Sequence, residues 1–221
     1  MITLDNRLKT AAELCREGKT AADVGCDHAQ LACFLAQNKS KLVIAGDVRD
    51  GPLEAARRTV SEQGVQNVKV VKSDGLKSID FADDVIICGM GGELIAEIIS
   101  GCKFLSEDTR FILQPMTKAN FLRCWLCENG FEIIEERAAY DGLRIYAIMY
   151  VKYIGFAGER TEPDELFALC GKMTDSGYLR KIAEKLLKKA DGMSLSGGAG
   201  GEVEKIREVA AAILKRAEEY E

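Results

Sequence analysis

Three aspartates stand at or near the ends of successive apolar runs in the first third of the chain. They are Asp23, Asp47 and Asp74. In a parallel sheet the carboxyl ends of the strands meet at one edge. In nucleotide-binding sheets of this kind, a carboxylate after the second strand accepts hydrogen bonds from the two ribose hydroxyls. A carboxylate after the third can accept an adenine amino proton. Each aspartate could instead cap the following helix, but the series favours a nucleoside-binding edge.

The turn after the first run carries a single glycine, in Asp23-Val24-Gly25-Cys26-Asp27-His28-Ala29. One glycine lets the backbone approach a ligand, and the helix start beyond it offers unpaired N–H groups. The later glycines that lay the backbone against a dinucleotide pyrophosphate are missing. S-adenosylmethionine has no phosphate and is the cofactor we expect, although an ordinary strand-turn-helix would also show this pattern.

A second glycine cluster, Cys88-Gly89-Met90-Gly91-Gly92, follows the fourth predicted strand. It lets the backbone approach a flat ligand or a methyl donor. An Asp/Asn-Pro-Pro-aromatic sequence, typical of methyl transfer to exocyclic amines, is absent from this position. The cluster therefore argues against an exocyclic amine as the acceptor.

Composition limits the class of protein. The 221 residues, 47% of them apolar, suffice for one α/β domain with a small appendage. No run of eighteen apolar residues and no signal-peptide core is present, so we expect a soluble cytoplasmic protein without membrane contact. Cys124 and Cys127 have redox or zinc spacing, but the chain has one histidine and no second cysteine pair, so we expect no metal and interpret them as a pair within a helix.

Periodicity predicts strands and helices in alternation, followed by two strand-like runs, 131–137 and 144–151, joined through Asp141-Gly142. This order predicts an α/β fold, a Rossmann-like class I methyltransferase sheet ending in an antiparallel hairpin. The predicted strands are 20–24, 42–47, 68–72, 83–88 and 110–114, and the predicted helices are 4–17, 28–37, 52–63, 92–100 and 117–129.

The chain changes character near residue 156, and we predict a methyltransferase domain at 1–155 and a helical unit at 156–221. A linker with Gly155, Gly158 and Pro163 leads to helices at 164–190 and 202–220, separated by a glycine-rich turn. Apolar residues recur on both helices at spacings of three and four, which predicts an antiparallel, coiled-coil-like helical hairpin.

Basic residues dominate the first of these helices, where 172–189 holds six lysines and arginines against two acidic residues. A solvated helix face explains them, and so does contact with an RNA backbone. The net charge of −5 does not by itself indicate a nucleic-acid partner. On the second interpretation Lys181, Lys185 and Lys188 bind substrate.

Several segments taken together resemble the bacterial tRNA (adenine-22-N1)-methyltransferase family: residues 23–29, 46–53, 73–76, 88–95, and 113–115 followed by 122–126. The resemblance covers residues 4 to about 153 in order, and the helical tail is similar to the family's arrangement. It implies methyl transfer from S-adenosylmethionine to adenine N1 in the D-loop region of tRNA.

The resemblance also implies roles for individual residues. Cofactor contacts fall on Asp23, Gly25, Cys26, Asp47, Val48, Asp74, Gly75, Gly89, Met90 and Gly91. Gly89 and Met90 would also lie beside the departing methyl group, with Gln114 and Pro115 at the mouth where the target base enters.

Three further residues are candidates for substrate contact. Asp27 could accept from the adenine amino group or face the developing cation, or it could cap the helix. His28 is a candidate base contact or a structural hydrogen bonder. Arg7 could reach the cofactor or a phosphate, or form a surface salt bridge.

The sequence departs from the family pattern at Met116, where asparagine is usual, and at Ala147, where glutamate is usual. Two alternatives to the tRNA enzyme therefore stay open. One is a small-molecule methyltransferase, and the other is an S-adenosylmethionine-binding protein impaired in transfer. We expect a monomer or weak dimer.

Overall fold

Seven strands form one mixed sheet, flanked by eight helices, in the part of the chain that the computed structural model describes, residues 2–155, 163–197 and 199–221. Residues 156–162 of the predicted linker, Gly158 among them, and Gly198 lie outside the described residues. The strands are β1 Thr20–Val24, β2 Leu42–Asp47, β3 Val68–Lys72, β4 Asp84–Gly91, β5 Arg110–Thr117, β6 Phe131–Asp141 and β7 Arg144–Tyr153. The helices are α1 Asn6–Leu14, α2 Gln30–Asn38, α3 Asp50–Glu62, α4 Gly92–Ser100, α5 Ala119–Glu128, α6 Glu165–Cys170, α7 Ser176–Leu195 and α8 Gly200–Glu218.

The strand order is β3-β2-β1-β4-β5-β7-β6. The pairs among β1 to β5 are parallel, whereas β7 runs antiparallel to β5 and β6 antiparallel to β7. This is the predicted methyltransferase sheet, and the fold prediction is confirmed. The order reverses between β1 and β4, and ligands of such sheets bind in the crevice beyond the strand ends at that point.

The central strands are buried on both faces, which explains their nearly continuous apolar runs. In β4, Val85 and Ile87 pack into the core on one face, while Ile86 packs into the core on the other. In β5, Phe111 packs on the same face as Val85 and Ile87, and Ile112 packs on the same face as Ile86. Packing on both faces fixes the register of the strands, and therefore the positions of the residues at their carboxyl ends.

Strands β4 and β5 extend three residues further than predicted. Beyond a bulge at Gly89, they continue to pair through Met90 with Pro115 and, after a second register shift, through Gly91 with Thr117. Gly89, Met90 and Gly91, together with Pro115, thus lie in strands and not in loops. The sequence suggested an earlier end because glycine and proline are rare inside strands, but a bulge and an edge accommodate both.

The prediction of one helix at 164–190 is wrong. Two helices, α6 and α7, occupy this stretch and are separated at Gly171, whose φ is +53°. A Cβ atom at Gly171 would collide with Glu136 Oε1, so this close approach requires glycine. Asp175 then caps α7 by accepting a hydrogen bond from Tyr178 N at 2.7 Å.

Helices α7 and α8 form the predicted antiparallel helical hairpin. Leu179 near the start of α7 packs with Ile213 near the end of α8, and Ala190 packs with Val203 at the opposite end. The apolar positions predicted on α8 are all buried: Val203, Ile206, Ala210, Ile213 and Ala217. No helix in the described ranges is both long and apolar enough to cross a membrane.

A buried ion pair attaches this hairpin to the sheet. Arg123 on α5 donates from Nε and Nη2 to the two carboxylate oxygens of Glu136 on β6, each at 2.9 Å. Its Nη1 donates to the carbonyls of Ala168 and Leu169 in α6, and Nη2 also contacts the Tyr178 hydroxyl of α7. Burial lowers the pKa of Arg123, but the Glu136 carboxylate outweighs burial and holds it above its usual range. One guanidinium therefore joins four elements.

We predict that Glu136→Met lowers the free energy of unfolding by about 3–5 kcal/mol, because it leaves the Arg123 charge buried without a counter-ion. The double variant Arg123→Met/Glu136→Met should lose less, since neither charge remains. Urea denaturation of both variants tests this. A double variant no more stable than Glu136→Met would contradict the role of the unpaired charge.

Candidate active site

A cavity of about 550 Å³ opens at the carboxyl edge of β1, β2 and β4, where the strand order reverses. We call it the first cavity. All the predicted cofactor residues except Gly91 line it, together with three predicted for substrate or catalysis: Asp23, Gly25, Cys26, Asp47, Val48, Asp74, Gly75, Gly89, Met90, Arg7, Asp27 and His28. Gly91 lies at the next position of β4, where it pairs with Thr117 of β5.

Asp23 is buried beneath the first cavity. Its Oδ2 atom has no hydrogen-bond partner among the described residues. Burial raises the pKa of Asp23 to about 7, a hydrogen bond from the Ala32 backbone opposes this rise, and the nearby Asp47 carboxylate adds to it. A buried carboxylate oxygen without a donor is costly, and a cationic ligand group would stabilise it.

Asp47 and Asp74 lie in different environments. Asp47 is buried and accepts a hydrogen bond from Arg49 N at 3.0 Å. Because Arg49 is the residue that precedes α3, Asp47 does not cap this helix, and the capping alternative is wrong for it. Asp74 is exposed and forms an ion pair with Lys77. The two carboxylates can therefore accept hydroxyl or amino protons at a buried and at an open end of the cavity.

The turn at Gly25 favours glycine because its φ is +77°, a backbone conformation that other residues rarely adopt. A Cβ atom there would also meet the Cε atom of Met90, the flexible end of that side chain. Met90 thus lies directly across the turn from β4, and the backbone of both strands borders the first cavity. This approach brings the two glycine motifs of the sequence, 23–29 and 88–92, into one site.

Gln114 is fully buried, so the expectation that it lies at an open mouth is wrong. Its Oε1 atom accepts from Gly89 N at 3.0 Å and from Arg7 Nη1 at 2.8 Å. Arg7 also forms the salt bridge foreseen as an alternative, with Asp5 at 3.2 Å. Gln114 therefore fixes the strand end beside the cavity and the arginine that borders it.

Asp27 and His28 lie at the exposed rim of the first cavity. The Asp27 side chain is 66% exposed, and its Oδ2 atom lies 3.7 Å from His28 Nε2. Asp27 does not cap α2, because the residue at the cap is Ala29, which makes no side-chain bond and has a φ of +53°. This left-handed residue also explains why α2 begins two residues later than predicted.

A second cavity of about 510 Å³ lies beside the first. Pro115 and Met116 line it, and Gln114 Nε2 donates weakly to Met116 Sδ at 3.5 Å. Pro115 and Met116 thus border the second cavity, and Gln114 connects them to Gly89 of the first cavity. Lys181 and Lys185 also line the second cavity, whereas Lys188 lines neither.

Sequence reasoning missed several residues of both cavities. Leu94 and Ile98 of α4 line the first cavity, and their spacing of four on one helix face was the available signal. Lys118, Arg144 and Tyr146 line the second. Arg144 and Tyr146 alternate along β7, a spacing that places two side chains on one face of a strand. Met116 and Ala147, the two departures from the family pattern, line this cavity as well.

The first cavity fits S-adenosylmethionine. The unpaired Asp23 oxygen suits the ammonium group of the methionine part, Asp47 suits ribose hydroxyls, and Val48 with Ile98 offers apolar surface for an adenine. Among the described residues no group of His, Cys, Asp or Glu has the arrangement of a metal site. Fold and site together define a class I S-adenosylmethionine-dependent methyltransferase.

Comparison with known proteins identifies the family. A family model described as "Methyltransferase domain" matches residues 4–149. The tRNA (adenine(22)-N(1))-methyltransferase of Bacillus subtilis (strain 168) is 35% identical over 185 residues, which cover 81% of this chain and 76% of that protein. The chain belongs to the tRNA (adenine(22)-N(1))-methyltransferase family.

Solved structures are similar over the whole length. The crystal structure of the B. subtilis m1A22 tRNA methyltransferase TrmK has a TM-score of 0.77 at 28% identity, covering 100% of this chain and 99% of that one. Streptococcus pneumoniae Sp1610, in complex with S-adenosyl-L-methionine, has a TM-score of 0.73 at 26% identity and 99% coverage of both chains.

We predict that Asp23→Asn changes the pH dependence of stability when no donor is bound. The pKa of Asp23 is raised from 3.8 to about 7 on folding, so the folded protein binds the extra proton between these values. The contribution of protonated Asp23 to the free energy of unfolding is therefore present at low pH and is lost as the pH rises toward 7. The Tm of the wild type relative to Asp23→Asn should therefore fall between pH 5 and pH 8, as measured by calorimetric scans.

The same variant should bind S-adenosylmethionine more weakly at pH 8, because the carboxylate that faces the ammonium group is lost. Isothermal titration calorimetry measures this directly. A Tm difference that is constant with pH, together with unchanged donor affinity, would contradict the assignment of Asp23.

Proposed function

We propose that this protein transfers a methyl group from S-adenosylmethionine to N1 of the adenine at position 22 of tRNA. The observation that carries the proposal is the pairing of two cavities through Gln114: one fits the donor, and the other is lined by lysines without an acidic residue. Membership of the tRNA (adenine(22)-N(1))-methyltransferase family supports the same substrate.

The chemistry suits a site without a strong base. Adenine N1 has an in-plane lone pair and carries no proton, so it is already a nucleophile. The bound donor supplies an electrophilic methyl group. What remains for the protein is to orient the base and to offset the positive charge that the purine acquires. No residue that removes a proton from N1 is needed.

Individual residues of the first cavity can perform these tasks. The backbone of Gly89 and Met90 borders the cavity and is held by Gln114, which gives the reacting groups a fixed wall. Asp27, at the rim, is our candidate for accepting from the adenine amino group and facing the developing cation. His28 and Arg7 border the same cavity and are candidates for contacts with the nucleotide.

The helical hairpin supplies cations for RNA. Lys181 and Lys185 line the second cavity, and Lys188 lies further along the same helix. Because N1 is on the Watson–Crick edge, the target adenine must leave its pair or stack, which costs a few kcal/mol. Phosphate contacts on the hairpin contribute binding energy that offsets this cost.

We therefore assign donor binding and methyl transfer to residues 1–155 and assistance in tRNA binding to residues 156–221. A tRNA substrate implies a cytoplasmic location. A single chain contains both cavities, so the proposed reaction does not require a second copy.

The proposal is tested by radiolabelled methyl transfer from S-adenosylmethionine to unmodified bacterial tRNA, followed by nucleoside analysis. We expect N1-methyladenosine as the labelled product, and no label in a transcript that carries guanosine at position 22. Labelling of that control would contradict the assigned position. Donor binding without transfer to tRNA would instead favour a small-molecule methyltransferase or an impaired donor-binding protein.

We predict that Asp27→Ala and Asp47→Ala have different kinetic effects. Asp27→Ala should lower kcat by about 10- to 100-fold with little change in donor affinity, since Asp27 acts on the developing charge. Asp47→Ala should mainly lower the affinity for S-adenosylmethionine, because a buried hydrogen-bond acceptor for the ribose hydroxyls is lost. Calorimetry and steady-state kinetics separate the two, and an equal loss of donor affinity in both would refute the role of Asp27.

A further inference from the structure

The sheet splits between β5 and β7 at their ends nearest the first cavity. These strands pair from Arg110 with Lys152 to Leu113 with Met149 and no further. Both nevertheless continue as strands, because β5 pairs with β4 through Thr117 and β7 pairs with β6 through Arg144. The second cavity lies in this split, with residues 115–117 on one side and residues 144–147 on the other.

A split of this kind leaves backbone edges without strand partners. In the sheet as described, β5 and β7 are neighbours, so no other strand covers the edges that face the gap. Backbone N–H and C=O groups are strong hydrogen-bonding groups and must find partners in solvent or in a ligand. A nucleobase carries donors and acceptors along its edges and can provide such partners.

The side chains of the split suit a base and its phosphates. Met116, which is 43% exposed, lines the cavity from β5, and Tyr146 lines it from β7. Aromatic rings stack on any base, and a thioether packs well against aromatic systems. A flat ring can therefore be bound here through its faces as well as through its edges.

Four exposed or partly exposed cations line the same cavity, and no aspartate or glutamate does: Lys118, Arg144, Lys181 and Lys185. Lys118 contacts Glu93 at 2.5 Å, and Lys181 donates to the Leu143 carbonyl at 2.5 Å, which holds the tip of the β6–β7 hairpin against α7. Among the described residues, Lys185 and Arg144 have no acidic partner within salt-bridge distance. These two charges are available to a phosphate.

We propose that the second cavity binds one unpaired nucleotide of the substrate RNA, adjacent in sequence to the adenine that is methylated. Its base lies between Met116 and Tyr146, and its phosphates lie near Arg144 and Lys185. This inference rests on the proposed function. Gln114 contacts Gly89, which lines the first cavity, and Met116, which lines the second, so the two cavities are neighbours and a nucleotide bound in the second would lie next to the target base.

The test of the stacking contact compares Tyr146→Leu with Tyr146→Phe. Loss of base–aromatic stacking should raise the KM for tRNA about tenfold in Tyr146→Leu, and Tyr146→Phe should stay near the wild type because the ring remains. Neither variant should change the KM for S-adenosylmethionine. Equal behaviour of the two variants would overturn the stacking contact.

Fluorescence reports the bound base directly. A tRNA transcript with 2-aminopurine at position 21 or 23 should lose fluorescence on binding to the wild type, because stacking on tyrosine quenches it. Quenching at one of these positions should disappear in Tyr146→Leu and persist in Tyr146→Phe. Absence of quenching at both positions in the wild type would overturn the proposal.

A matched pair of charge variants tests the phosphate contacts. Arg144→Ala/Lys185→Ala removes the two cavity cations that have no acidic partner, and Lys205→Ala/Lys215→Ala removes two lysines of α8 that do not line the cavity. The first variant should raise the Kd for tRNA at least tenfold and lower the salt slope of log Kd by about 2. The α8 variant should change the Kd less than threefold, and an equal loss in both would overturn the proposal.

The outcome also separates this proposal from the proposed function. A wild-type protein that does not methylate tRNA contradicts the proposed function itself. A wild-type protein that does so, with Tyr146→Leu unaffected and no quenching of 2-aminopurine at position 21 or 23, contradicts only the second nucleotide site.

Discussion

The buried side-chain oxygen of Gln114 holds the two halves of the site in register. It accepts from Gly89 N in β4 and from Arg7 in α1, so two elements that do not adjoin in sequence are fixed at one point. A buried acceptor that lost these donors would cost free energy, and the arrangement therefore resists opening. Because Gln114 also lies where β5 leaves β7, the same contact sets the boundary between the two cavities.

Local sequence predicted much of the fold and much of the first cavity. Strand ends in a parallel sheet meet at one edge, so Asp23, Asp47 and Gly89 were expected together, and all three line the first cavity. The apolar faces of the helical hairpin were also predictable, because the buried residues of α8 recur with the period of an α-helix. These features depend only on the spacing of residues along the chain, which a single sequence shows directly.

Features that depend on contacts between distant residues were not predictable in this way. Gly171 ends a helix that periodicity would continue, because Glu136, brought close by the sheet, leaves no room for a side chain. The burial of Gln114 depends on contacts of its side chain with Gly89 of β4 and Arg7 of α1, which are distant in sequence. The second cavity exists because β5 and β7 part after Leu113, although both sequences remain strand-like.

The distribution of charge explains how an acidic chain can be matched to RNA. The net charge of −5 argues against nucleic acid only if every charge acts on the ligand. At physiological ionic strength, charges beyond about 8 Å are largely screened, so a phosphate responds mainly to its immediate surroundings. In the second cavity those surroundings are cations from α5, β7 and α7.

The Arg123–Glu136 pair holds α6 and α7 against the sheet and so keeps Lys185 of α7 near Arg144 of β7. The buried Arg123–Glu136 ion pair is neutral as a whole, but it determines where the unpaired charges of Arg144 and Lys185 are presented to a ligand.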